Sequence, residues 1–167
     1  MSSLRKHIRD IPDFPQPGIL FRDIVPLLRN HFKQTLDELT ELLPAEEWKR
    51  IEAIAGIEAR GFILAAALAA QHRKGFVPIR KAGKLPPPVV KADYALEYGT
   101  SAIEMQRGSG RLLIVDDVLA TGGTMQAAAQ LADQAGYDVA HLLALIDLNL
   151  CPSFTWRDLK VRSLISY

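Results

Sequence analysis

Residues 111–124, RLLIVDDVLATGGT, decide the fold. Arg111 to Val115 is a solid apolar strand without the polar alternation of a half-exposed one, so it reads as buried on both faces. Asp116 and Asp117 open a polar Gly/Thr loop that runs to Gly123, and Thr124 to Ala135 reads as an alanine-rich helix stopped by Gly136. The same order recurs upstream. Ile51 to Ile57 is a short buried strand, Phe62 to Arg73 an Ala/Leu-rich helix, and Gly75 opens a further strand over Phe76 to Arg80. Val139 to Ile146 adds another buried strand. Strands alternating with helices predict an α/β fold with a doubly wound, mostly parallel sheet flanked by helices. Ligands of such sheets bind beyond the carboxyl ends of the strands, which here means residues 116–124.

Outward from this unit, Pro12, Pro15 and Pro17, closed by Gly18, exclude a helix and predict a chain running extended over the surface. Phe32, Leu36, Leu39, Leu42 and Leu43 mark one apolar helical face that Pro44 ends. Residues 81–91, KAGKLPPPVVK, read as a long loop. Ala92 to Tyr98 and Ala102 to Arg107 read as two strands around Gly99, and Gly108-Ser109-Gly110 as a turn. No repeat or linker interrupts the chain, so residues 1–167 are read as one domain.

Composition narrows the function classes. Twenty basic residues stand against nineteen acidic ones, a net +1 that gives no global reason to bind nucleic acid or an acidic membrane. The longest strongly apolar run, Phe62 to Ala70, would rise only about 14 Å as a helix, too short for a membrane span. MSSLRKHIRDIPDFP carries charges throughout and lacks a secretory apolar core. A lone cysteine, Cys151, excludes an internal disulfide framework and reads as a half-buried thiol; cytoplasmic localisation is the expectation. His7, His31, His72 and His141 show no metal-ligand spacing.

The chemistry concentrates in the loop. Adjacent buried carboxylates repel and need donors or cations nearby. Ala120-Thr121-Gly122-Gly123-Thr124 supplies two glycines for close backbone approach and two hydroxyls at the positive end of a helix dipole, which makes a phosphate cradle. A strand cap followed by an ordinary turn would need one polar residue, and this loop has five. No lysine follows the glycines, which excludes a Walker loop, and no GxGxxG is present. The reading is a sugar-phosphate site, with a 5′-phosphate on the loop and a ribose diol on the aspartates.

LLIVDDVLATGGT resembles the phosphoribosyl pyrophosphate signature of the type I phosphoribosyltransferases. PDFPQPGILFRDI (12–24), GIEARGF (56–62), VPIRKAGKLP (77–86) and YALEYGT (94–100) narrow the resemblance to adenine-using members, over residues 12 to 136 in the right order. The resemblance implies a hood near residues 1–30, a mobile lid near 81–98, and transfer of ribose 5-phosphate from phosphoribosyl pyrophosphate to N9 of adenine, giving AMP and pyrophosphate. Mg2+ would accompany the pyrophosphate, held by substrate and water rather than by a protein cage. Family members are usually homodimers.

Residue by residue, the resemblance implies that Asp116, Asp117, Ala120, Thr121, Gly122, Gly123 and Thr124 hold the ribose and its 5′-phosphate. Arg60, Arg80, Lys81, Lys84 and Tyr98 would meet pyrophosphate, with Arg60 also counted as catalytic. Glu97 would be the general acid/base at the purine. Leu20, Phe21, Arg22 and Val118 would bind adenine, through the Leu20 carbonyl, the Arg22 N–H and stacking on Phe21. A cis peptide between Glu58 and Ala59 is implied as well. Enzymes for 6-oxopurines commonly carry an aspartate where Ala120 stands, which favours adenine.

Alternation alone places Glu104 on an exposed strand face. The tail from Leu148 to Tyr167 departs from the family at Asn149, and its Phe154 and Trp156 are open between core, dimer contact and neither. The alternatives are a regulator that senses phosphoribosyl pyrophosphate without turnover, and an enzyme for a 6-oxopurine.

Overall fold

The computed structural model describes residues 3–95, 100–152 and 154–167. A 3-10 turn at Ser3–His7 leads into strands β1 (Arg9–Ile11) and β2 (Phe21–Asp23), which pair antiparallel with Asp10 opposite Arg22. Three helices follow: α1 (Val25–Asn30), α2 (Phe32–Glu41) and α3 (Ala45–Arg50). The rest is the alternating unit, with β3 (Ala53–Ile57), α4 (Arg60–His72), β4 (Gly75–Lys81), β5 (Val89–Ala95), β6 (Thr100–Gln106), β7 (Arg111–Leu119), α5 (Gly123–Gln134), β8 (Asp138–Asp147), β9 (Thr155–Trp156) and β10 (Leu159–Ser166). The large sheet has the order β5-β6-β4-β3-β7-β8-β10-β9. Neighbours from β4 to β10 are parallel, and the outer pairs are antiparallel. The expected α/β class with a mostly parallel sheet and flanking helices is what forms.

Successive residues of β7 point to opposite faces and so feed two cores. Leu113 and Val115 join Leu27, Leu39, Trp48, Leu64 and Leu68 under the helices on one side. Leu112 and Ile114 join Ile79, Met105, Met125 and Leu131 on the other. Each fully buried Leu or Ile contributes about 1.5–3 kcal/mol. Gly56 is what lets α4 lie close: a Cβ there would sit 2.8 Å from Ala65 Cβ and 2.9 Å from the Gly61 carbonyl oxygen. Among the described residues no helix is long and apolar enough to cross a membrane.

Several boundaries differ from the sequence reading. β7 does not end at Val115 but runs through both aspartates to Leu119, because its backbone keeps pairing with β8, Asp116 opposite Ala144 and Val118 opposite Ile146. Polar side chains do not stop a strand whose backbone bonds continue. Residues 12–18 turn back rather than run extended: Phe14 N–H donates to the Ile19 carbonyl, and Gly18 N–H to Asp13 Oδ1 at 2.7 Å. The 81–91 loop shrinks to 82–88, since Val89 already pairs with Gln106. α2 ends at Glu41, and Pro44 heads α3 instead. The tail carries an unexpected strand, β10, parallel to β8. Its LKVRSLIS pattern has Lys160 and Arg162 on the exposed side, which disguises it as surface.

Candidate active site

The carboxyl ends of β3, β4 and β7 bring the charged residues to one rim. Asp116 and Asp117 are 8% and 7% exposed, and Asp117 N–H donates to Asp116 Oδ1 at 2.9 Å. Arg60, the first residue of α4, places Nη2 2.5 Å from Asp117 Oδ2. Gly61 allows this approach, because a Cβ there would meet Asp116 Oδ1 at 2.9 Å and the Val115 carbonyl oxygen at 3.0 Å. Burial, followed by the charge of Asp117, pushes the Asp116 carboxyl well up. Burial also pushes Asp117 up, against the opposing pull of Arg60. Two buried carboxyls thus share one adjacent cation, an arrangement better suited to receiving hydroxyl donors than to standing alone.

That arrangement costs stability at neutral pH. Asp116 binds its proton more tightly folded than unfolded, so its contribution is favourable below the ordinary aspartate range and is lost as pH rises through the raised folded value. Asp116→Asn keeps an oxygen to accept the Asp117 N–H. It is expected to stabilise the ligand-free protein by about 1–2 kcal/mol at pH 7, with the gain vanishing near pH ~4. Calorimetric melting at the two pH values checks this; a melting temperature below the parent's at pH 7 contradicts it.

Beyond β7, residues Val118 to Met125 line a concavity of about 60 Å³. Gly122 has φ 89° and stands at the N-cap of α5 with no side-chain capping bond, and its carbonyl accepts the Gln126 N–H. The first N–H groups of α5 and the Thr121 and Thr124 hydroxyls therefore share the anion-favouring end of the helix. The β8–β9 connection braces this loop. Leu148 N–H donates to the Leu119 carbonyl at 3.0 Å, and the Phe154 ring lies where a Gly122 side chain would go. Phe154 is thus a packing residue under the loop, which the sequence left open.

The second cluster sits on β4 and β6. The Glu58–Ala59 peptide is cis, as the resemblance implied. Glu58 accepts from Arg80 Nη2 at 2.8 Å and from Lys81 N–H at 2.9 Å, and these bonds hold its carboxyl below the usual range. Lys81 and Lys84 are exposed. Glu104 is not on an exposed face, as alternation suggested, but 1% exposed. Backbone N–H groups of Gly83, Leu85 and Lys84 hold its carboxyl low against the cost of burial. Those donors come from a loop, which no strand periodicity reveals. Glu58 and Glu104 are the charged partners that sequence reasoning did not assign; a glutamate two residues before Arg60 was the available signal for the first.

The β1–β2 hairpin meets the rim through Arg60, whose Nη1 donates to the Arg22 carbonyl at 3.4 Å and whose guanidinium lies 4.9 Å from the Phe21 ring centroid. Phe14 contacts Phe21 edge-on at 5.1 Å. Leu20 is 45% exposed. The Arg22 side chain turns away, pairing with Asp10 and stacking on Tyr167 at 3.7 Å. Val118 is half-buried against the α1–α4 core and lines the loop concavity. Glu97 and Tyr98 lie outside the described residues.

The family model for the phosphoribosyl transferase domain matches residues 29–161. An adenine phosphoribosyltransferase of Bdellovibrio bacteriovorus is 54% identical over 165 residues, covering 98% of this chain and 99% of that protein. The solved adenine phosphoribosyltransferase of Rhodothermus marinus is 40% identical, with a TM-score of 0.86 over 99% of this chain and 97% of that one. That of Saccharomyces cerevisiae, solved with an imino-altritol bisphosphate and adenine, is 34% identical with a TM-score of 0.87, covering 96% of each chain. With a family match across most of its length and relatives this similar end to end, the chain belongs to the adenine phosphoribosyltransferases of the phosphoribosyl transferase domain family.

Proposed function

We propose that this protein transfers ribose 5-phosphate from phosphoribosyl pyrophosphate to N9 of adenine, releasing pyrophosphate and giving AMP. One observation carries the reading: Arg60 joins the Asp116–Asp117 pair to the hood carbonyl of Arg22, so a sugar site and a base site share one cation. The solved yeast relative was obtained with adenine.

Bond breaking at the anomeric carbon builds positive charge on the ribose and negative charge on the departing pyrophosphate. Asp116 and Asp117 receive the ribose hydroxyls, and their anionic charge faces the developing cation. Ala120, Thr121, Gly122, Gly123 and Thr124 hold the 5′-phosphate through backbone N–H groups and hydroxyls. Arg60, Arg80, Lys81 and Lys84, with Tyr98, gather the pyrophosphate. The Leu20 carbonyl accepts from the adenine 6-amino group, the Arg22 N–H donates to N1, and Phe21 and Val118 bracket the ring. Glu97 takes the purine proton as N9 attacks. Ala120 leaves no carboxylate for a 6-oxopurine N7, which supports adenine.

Mg2+ would be carried in on the pyrophosphate, held by substrate and water, and would supply charge neutralisation there. Residues 1–30 act as the hood and 81–98 as a lid that excludes water. A homodimer completes the reading, with the exposed Ile63 and Phe76 as apolar surface for a second copy.

Pyrophosphate release from phosphoribosyl pyrophosphate, Mg2+ and adenine tests this. Release is expected from the parent, to stop on chelation, and to fall about 10²–10⁴-fold in Glu97→Gln. Release that ignores adenine or survives chelation would refute it.

A further inference from the structure

Glu104 is a carboxylate at 1% exposure on β6, which lies between β5 and β4, and a buried charge there requires a reason. The N–H groups of Lys84 and Leu85 both donate to its Oε1 at 2.7 Å, while Oε2 lies 3.8 Å from Lys91 Nζ. In register, Glu104 stands opposite Arg80 on β4 and opposite Lys91 on β5. Arg80 in turn donates from Nη1 to the Lys84 carbonyl at 3.2 Å. Both peptide groups of Lys84 are therefore held, the N–H by Glu104 and the carbonyl by Arg80. Two more bonds from the same strand fasten the turn: Ala82 N–H donates to the Ala102 carbonyl at 2.9 Å, and Gln106 Nε2 to the Pro86 carbonyl at 3.3 Å. Glu104 and Gln106, two apart on a strand, share a face, so β6 forms a spine along which residues 82–86 are laid.

We propose that Glu104 is a positioning residue for the pyrophosphate subsite, its buried carboxylate fixing the 82–86 turn so that Lys84 and Arg80 present their charges together. This rests on the pyrophosphate assignment above. A free turn would have to order both cations at each binding event, whereas a clamped one has that entropy already removed. Glu104 touches neither substrate nor reacting atoms in this scheme; it acts through Lys84 and Arg80.

The test is steady-state kinetics of the full chain with Glu104→Ala and Glu104→Gln, each substrate varied against a saturating level of the other. Glu104→Ala is expected to raise KM for phosphoribosyl pyrophosphate by about ten- to a hundredfold, the range that loss of hydrogen bonds to a charged group supports. KM for adenine is expected to stay within about twofold, since ground-state binding of the base is untouched. Glutamine keeps an oxygen for both N–H groups and is expected to recover KM to within about threefold of the parent. In the parent, the Lys84 and Leu85 amides are expected to exchange slowly with solvent. A folded Glu104→Ala that melts lower but shifts both KM values equally, or neither, overturns the proposal. Should that variant not fold, free-peptide exchange at Lys84 and Leu85 in the parent overturns it instead. AMP formation by the parent with no KM split defeats this inference alone, and its absence defeats the functional reading as well.

Discussion

Replacing Arg60 with alanine is expected to lower kcat/KM for phosphoribosyl pyrophosphate by about 10²–10³-fold, the loss typical of a single preorganised group aimed at developing charge. Three contacts converge on this side chain: the 2.5 Å ion pair with Asp117, the bond to the Arg22 carbonyl, and the face of Phe21. Its removal leaves two buried carboxyl groups without their adjacent cation and unties the β1–β2 hairpin from the rim. Breaking a fully buried pair costs about 3–5 kcal/mol. Here the arginine side chain is 33% exposed, and one aspartate can take up a proton, so a cost of about 1–2 kcal/mol is expected. The effect is thus catalytic first and structural second. Arg60→Lys keeps the charge but not the planar fork that reaches Asp117 and Arg22 together, and it is expected to recover little. Kinetics and melting of both variants check this; kcat/KM for Arg60→Ala within about tenfold of the parent would contradict it.

Gly122→Ala is expected to be the most damaging change in the phosphate loop, because two independent penalties meet at one atom. The backbone stands at φ 89°, where a Cβ costs about 1–2 kcal/mol. The new Cβ would also lie 2.5 Å from Phe154 Cδ2, and such overpacking costs about 1–3 kcal/mol. Relief by moving the loop would displace the N–H groups at the start of α5, so KM for phosphoribosyl pyrophosphate rises along with the loss of stability. Phe154→Ala in the Gly122→Ala background removes the steric part and leaves the conformational part. A double-mutant cycle on unfolding free energies therefore gives a coupling of about 1–3 kcal/mol. Strict additivity would mean that Phe154 does not press on the loop.

What the sequence revealed and what it hid divide along a physical line. Leu112 to Val115, the Asp-Asp pair and the Gly-Gly turn were legible because burial on both faces, like-charge adjacency and glycine freedom each leave a local mark. The continuation of β7 through Asp116 to Leu119 was not, since it depends on backbone pairing with β8 rather than on its own side chains. Glu104 was misread for a related reason: its burial is offset by N–H groups from the 83–85 turn, twenty residues away. β10 was hidden by lysine and arginine on its exposed side, although Ile165 reaches the core. The role proposed for Arg60 came through a resemblance, whereas that proposed for Asp117 was already read from the loop; their 2.5 Å contact is a tertiary fact.

The most direct measurement offers the protein phosphoribosyl pyrophosphate and Mg2+ with adenine, hypoxanthine, guanine and xanthine in equal amounts, and identifies the nucleotides formed by mass. AMP as the dominant product, formed about 10²–10³-fold more slowly at limiting phosphoribosyl pyrophosphate when Arg60→Ala replaces the parent, is the predicted result. Comparable yields of a 6-oxopurine nucleotide, or no nucleotide at all, would contradict a site built for adenine around Arg60 and the Asp116–Asp117 pair.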